Sequence, residues 1–146
     1  MTNYLFVIGV AVTGGVAAVI QAQLNNIMSK GMGTLESVFI TYGLGGAMAG
    51  LIMLAVRGGN LRAVATLPWY VLLAGLCGLV IIGSISFTVS RLGLVVTFTV
   101  IVATQFILGS LFDHFGVLGL EIRPLTLSKI FGIVILLVGV WLVMRS

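Results

Sequence analysis

Charge is what this sequence has least of. Lys, Arg, Asp and Glu together make up 7% of its 146 residues, against 60% hydrophobic residues and a mean hydropathy of +1.31. A chain so poor in polar residues cannot cover the surface of a soluble domain, which excludes that class. Cys77 stands alone, so an intrachain disulfide and a Cys-based zinc centre are excluded, and the thiol reads as a small apolar filler. One histidine, His114, and three carboxylates cannot assemble a nucleophile with its base or a metal cluster, so neither an enzyme nor a bound metal or cofactor is expected. The formal charge of +4 comes from scattered bases. They form no stripe of the kind that binds nucleic acid, and anionic lipid head groups are the fitting counterparts. Met1-Thr2-Asn3-Tyr4 has no basic n-region, so a cleaved signal peptide is not expected.

What is present is a set of long apolar runs with charges at their ends. Between Lys30, Glu36, Arg57, Arg62, Arg91, Asp113, Glu121, Arg123, Lys129 and Arg145 lie charge-free stretches at 1–29, 37–56, 63–90, 92–112 and 130–144. A hydrocarbon core about 30 Å thick needs roughly 20 residues of helix, and each stretch can hold one crossing. The expected fold is therefore all-α and integral to a membrane, a single domain of five transmembrane helices at about 4–26, 35–56, 68–89, 92–112 and 126–144. An odd number of crossings puts the termini on opposite sides. Arg57, Arg62, Arg123 and Lys129 then share one side, and Lys30, Arg91 and Arg145 the other. Orientation follows the Lys/Arg bias of short loops, and four against three is hardly a bias. A chain able to insert both ways up would supply both halves of an inverted-repeat transporter.

Local signals fill in this outline. Ser29 to Gly33 reads as a tight turn, with Thr34 as the N-cap of helix two and Glu36 in its first turn. Gly43, Gly46 and Gly50 give helix two a face for close helix packing, Gly46 and Gly50 being a GxxxG pair, and Gly132 and Gly139 mark a similar face on helix five. Whether those faces meet within the chain or across a dimer stays open. Pro68-Trp69-Tyr70 opens helix three, and Arg91 with Gly93 makes a very short turn into helix four.

The polar end of helix one, Gln21-Ala22-Gln23-Leu24-Asn25, the glycine-rich helix two, Arg91-Leu92-Gly93, Gln105, and Asp113-His114-Phe115-Gly116 follow one another in an order that resembles the YdcZ-type family, a five-helix branch of the drug/metabolite transporter superfamily. Thr104 stands where that family would have glycine before the helix-four glutamine. The resemblance covers essentially the whole chain. It implies a bacterial-type inner membrane and a working unit of two inverted five-helix halves, whether a homodimer with a second copy or a pair with a homologous chain.

No carboxylate lies at mid-helix, which disfavours an antiporter built on an intramembrane acid. What remains inside the membrane is uncharged. Gln105 is deep enough to need a partner, be it a neighbouring helix, water or a substrate. Gln21, Asn25 and Gln105, with Phe98 as an apolar wall, are the expected substrate path. Asp113 falls at a helix C-terminus, where the dipole disfavours a carboxylate. An ion pair with a base on its own side, most fittingly Arg57 or Arg123, and a gating or proton-linked role are both open to it. The reading that gathers these features is a small secondary transporter, exporter or exchanger, of a small neutral or weakly polar metabolite, in an antiparallel dimer. A dual-topology ion channel and an accessory membrane protein are the alternatives.

Overall fold

The computed structural model describes residues 4–56 and 59–145. Four α-helices carry the chain: α1 Tyr4–Met32, α2 Thr34–Ala55, α3 Leu73–Phe115 and α4 Leu127–Arg145, with short 3₁₀ turns at Leu61–Thr66, Trp69–Leu72 and Val117–Gly119. No strand occurs among the described residues. All four helices are long and apolar enough to cross a membrane. Arg57 and Gly58, which the sequence places in the loop after helix two, lie outside the described residues. Two compact units divide the chain, Met1–Arg91 and Leu92–Ser146.

In the first unit α1 continues past the expected end near residue 26 and absorbs the proposed turn, stopping only at Met32. Gly33 is then the whole joint. Its backbone, at φ 107° and ψ 158°, lies where only glycine is comfortable. The joint keeps its own groups paired, because Gly33 N–H donates to Ser29 O at 3.0 Å and Ser37 N–H donates to Gly33 O at 3.2 Å. The N-cap position of α2 is accordingly Gly33 rather than Thr34, and no side chain caps it. A joint one residue long leaves Thr34 already inside the helix.

The hairpin so formed is antiparallel and its seam is polar. Ala22, Asn25 and Asn26 are buried on α1 and face Ser37 and Val38 of α2 in sequence register. Ser37 Oγ donates to the Asn25 carbonyl at 3.1 Å, and Thr41 Oγ donates to Asn25 Oδ1 at 2.6 Å. The buried polar residues include Asn25, Ser37, Ser86 and Thr97, all at 2% exposure or less, whereas Leu, Ile, Val and Phe cover the outside. That inversion suits a chain whose solvent is hydrocarbon, since helix contacts there come from close packing and hydrogen bonds. Cys77 is exposed on the same apolar exterior rather than buried as filler.

Beyond the hairpin, Tyr42 reaches the bare Cα of Gly78, where a Cβ would collide with its hydroxyl. α3 is assigned as one helix of 43 residues, yet Gly93 inside it has φ 79° and ψ 170°. Such a residue breaks the ladder. The arms on either side, 73–92 and 94–115, are each about 30 Å long at 1.5 Å per residue, the length of one crossing. Arg91 stacks over Phe87 at 3.5 Å and Arg145 over Trp141 at 4.0 Å, so each base at a helix end is seated on an aromatic ring one turn earlier.

Among the described residues, the glycines of the packing faces have open space beside them within their own units. Neither Gly43, Gly46 and Gly50 nor Gly132 and Gly139 has a heavy atom within 4 Å of the place a Cβ would take. Gly33→Ala should therefore destabilise the protein by about 1–3 kcal/mol, because its φ is wrong for alanine and the new methyl meets the Glu36 carboxylate. Gly46→Ala should leave the stability of the single chain unchanged or slightly higher. Unfolding midpoints of the two variants in detergent check this, and equal midpoints would contradict it.

Candidate functional site

The second unit holds a cavity of about 560 Å³ between the second arm of α3 and α4. Gln105, Gly109 and Asp113 stand at four-residue spacing on α3, with Phe106 and Ser110 beside them. Lys129, Gly132 and Leu136 recur at three and four residues on α4. Each set occupies one helical face, so helical periodicity alone gathers these side chains. The two glycines leave room where bulk would close the gap, and the lining is mostly apolar with its charges at one end. Its size is that of a small-molecule site.

At the charged end Lys129 Nζ and Asp113 Oδ2 are 3.9 Å apart, and each side chain is roughly half buried. Neither side chain makes a hydrogen bond among the described residues. Asp113 sits in the last turn of its helix and Lys129 in the first turn of α4. Each charge thus faces the unfavourable end of a helix dipole, at a cost of about 0.3–1 kcal/mol apiece. A pair as exposed as this returns about 0–1 kcal/mol. The two roughly cancel, and the charges stay available to a third party. Gln105 lies about 12 Å further along the same helix, and its amide has no hydrogen-bond partner among the described residues.

The connection between the helices is fixed by the Asp113-His114-Phe115-Gly116 segment. Gly116 turns the chain in the left-handed region at φ 62°, as a helix C-terminus commonly requires. The Asp113 carbonyl then accepts from Arg123 N–H at 2.8 Å, and His114 Nδ1 accepts from Leu125 N–H at 3.2 Å. Thr126 Oγ accepts from Lys129 N–H at 3.3 Å and so caps α4. These bonds fix where Lys129 emerges relative to Asp113. His114 thus acts as a clasp on the connection.

The sequence-expected site residues fall in two places. Gln105 and Asp113 meet in the cavity, and Gly132, expected only to pack, lines it as well. Phe98 is half-buried on the same arm and is not part of the lining. Gln21 and Asn25 belong to the other unit. Gln21 is exposed, while Asn25 is spent on the α1–α2 seam, its Nδ2 alone lacking a partner. The base beside Asp113 is Lys129 rather than Arg123, whose guanidinium instead lies 3.1 Å from Glu121. The backbone bond between Asp113 and Arg123 explains the difference: it fixes Arg123 beside the main chain, and its side chain turns to its near neighbour. Arg57, the other favoured partner, lies outside the described residues. Sequence reasoning named Lys129 among the bases on that side without favouring it. It also missed Ser110 and the α4 face, for which spacing of small and polar residues was the available signal. Among the described residues no group of His, Cys, Asp and Glu could hold a metal ion.

Long apolar helices with polar groups turned inward define an all-α integral membrane protein. Residues 6–142 match the YdcZ family, described as "Putative inner membrane exporter, YdcZ", and the chain belongs to that family. It is a multi-pass protein of the inner membrane. Neither a curated protein nor a solved structure matches it.

His114→Ala removes the acceptor for a backbone N–H and should cost about 1–3 kcal/mol. The loss should be local, so proteolysis between residues 117 and 125 should quicken at least tenfold while the α1–α2 hairpin is cut no faster. Unchanged cleavage of the loop would show that the clasp carries no stability.

Proposed function

We propose that the protein is a small secondary transporter, an exporter or exchanger of a small neutral or weakly polar metabolite, working by alternating access as an antiparallel dimer of five-crossing halves. The observation that carries this reading is the cavity in the second unit, whose lining includes Gln105, exposed and without a hydrogen-bond partner among the described residues. An amide left without a partner in hydrocarbon costs several kcal/mol, and a substrate is a partner that comes and goes. The family's description as an exporter agrees. The path then includes the faces of α3 and α4 that carry Gln105, Ser110 and Asp113.

Three observations support the dimer. Gly93 divides α3 into two arms of crossing length, which supports a count of five crossings and, with it, termini on opposite sides. The Lys/Arg division between the two sides is nearly even, so insertion both ways up is not opposed. Among the described residues, no heavy atom of its own unit lies within 4 Å of an added Cβ at the small-residue glycines of α2 and α4, and close backbone approach by a second copy is what such faces permit. Two inverted halves around a shared path meet the requirement of alternating access.

In proteoliposomes the purified protein should exchange labelled solute saturably in a counterflow screen of small neutral metabolites. Gln105→Leu should lower the rate at least tenfold, a loss of about 1.4 kcal/mol, with the folded fraction unchanged. Wild-type exchange by that variant would remove Gln105 from the path. For the dimer, two lysines added beside Gly58 and Gly59 should fix one orientation and two added beside Lys30 the other. Each fixed form should be poorly active alone and recover on co-expression. A native chain that labels in one orientation only, and needs no second homologous chain, would overturn the antiparallel arrangement.

A further inference from the structure

Resting on the cavity as the substrate's place, the geometry points to a more definite ligand class: we propose that the site takes a net-neutral zwitterion, an ammonium held by Asp113 and an anionic group held by Lys129, joined to an apolar body. The two protein charges stand 3.9 Å apart, beyond hydrogen-bond length. The ammonium therefore has all three of its donors unused, and the carboxylate its acceptor positions. Main-chain bonds fix where the two residues leave their helices, Lys129 N–H donating to Thr126 Oγ and Arg123 N–H donating to the Asp113 carbonyl. A ligand with an ammonium and an anion a few ångströms apart can answer both at once. It forms two charge-assisted bonds where the empty site has none.

Charge balance narrows the class further. The pair sums to zero, so a cation or an anion alone would satisfy one partner and leave the other without a counter-charge from the ligand. An uncharged apolar solute would fill the space and leave both charges as they are. Only an amphoteric head group uses everything at that end of the cavity. The remainder of the lining is mostly apolar, from Phe106 and Gly109 on α3 to Ile133 and Leu136 on α4, with Ser110 and Gln105 as its uncharged polar members. A hydrocarbon or aromatic body is what that wall accepts. Such a head group can be carried by a free solute of amino-acid type or by a zwitterionic phospholipid.

The probes are phenylalanine as the zwitterion, phenylalanine amide as the cation and N-acetylphenylalanine as the anion, titrated into the full-length protein in an uncharged detergent. Binding is read by calorimetry and by the unfolding midpoint. Phenylalanine should bind saturably and at least tenfold more tightly than either analogue. Asp113→Asn should shift the preference to the anion, Lys129→Gln should shift it to the cation, and Asp113→Lys combined with Lys129→Asp should restore the zwitterion. These shifts in preference are read only on variants whose unfolding is cooperative. If a single variant fails to fold, the double exchange and the three-probe ranking on the native protein decide the matter. Equal affinity for the three probes, or binding by none, overturns the proposal. Repeating the titration in nanodiscs of phosphatidylethanolamine and of phosphatidylglycerol separates the sources: loss of phenylalanine binding only in the former assigns the site to a lipid head group, and retention in both assigns it to a free solute. Absence of the zwitterion preference alongside Gln105-dependent exchange would leave the transporter reading standing. Preference without any exchange would overturn that reading and keep this one.

Discussion

A bilayer core offers no hydrogen-bond partner, and every feature of this chain follows from that constraint. Helices pair their own backbone groups, so the described residues fold as helix and short turn, and the breaks fall at residues that can leave the ladder cheaply. Gly33 and Gly93 do so through positive φ. Side-chain hydroxyls solve the same problem locally: Thr13, Thr88, Thr99 and Thr104 each donate to the carbonyl four residues back. Polar groups that cannot solve it locally are the informative ones. Asn25 is answered by Thr41 and Ser37 across the hairpin, and Gln105 is not answered.

Because lipid is as apolar as leucine, the hydrophobic effect that sorts residues in water gives no instruction about which face of a helix turns inward. The sorting passes to size and polarity. Small and polar residues gather at the α1–α2 seam while large aliphatic ones stay outside. The same rule puts Gly109 and Gly132 in the lining of the cavity, where space rather than contact is the outcome. Glycine faces thus serve two ends here: room for a ligand on one, and on α2 a surface open to another helix.

The charged end of the cavity shows how geometry set by the backbone can hold side chains in a state they would not choose. Asp113 and Lys129 both oppose their helix dipoles, and neither has collapsed onto the other to form a close bond. The short connection, clasped at His114 and turned at Gly116, sets their separation. A longer or looser loop would let the pair close and lose its open valences. The order of Asp113-His114-Phe115-Gly116 is thereby given a physical content that a motif match lacks.

The sequence by itself determined the solvent and the helical class. Ten charges placed at the ends of apolar runs leave no other medium than lipid, and runs of that length ask for helices long enough to cross it. It also marked Gln105 and Asp113, since an amide in hydrocarbon and an acid at a helix C-terminus are conspicuous in a string of letters. Partners were another matter. That Asn25 is spent on packing while Gln21 four residues earlier is exposed depends on where the seam edge falls, and a rotation of a few tens of degrees decides it. That Lys129 and not Arg123 faces Asp113 depends on a backbone bond across a turn. α1 runs through the glycine of Ser29-Lys30-Gly31 because a single residue, Gly33, suffices to reverse the chain. Such choices are made by contacts between segments distant in sequence, whose energies no local window of residues contains, and only the tertiary structure decided them.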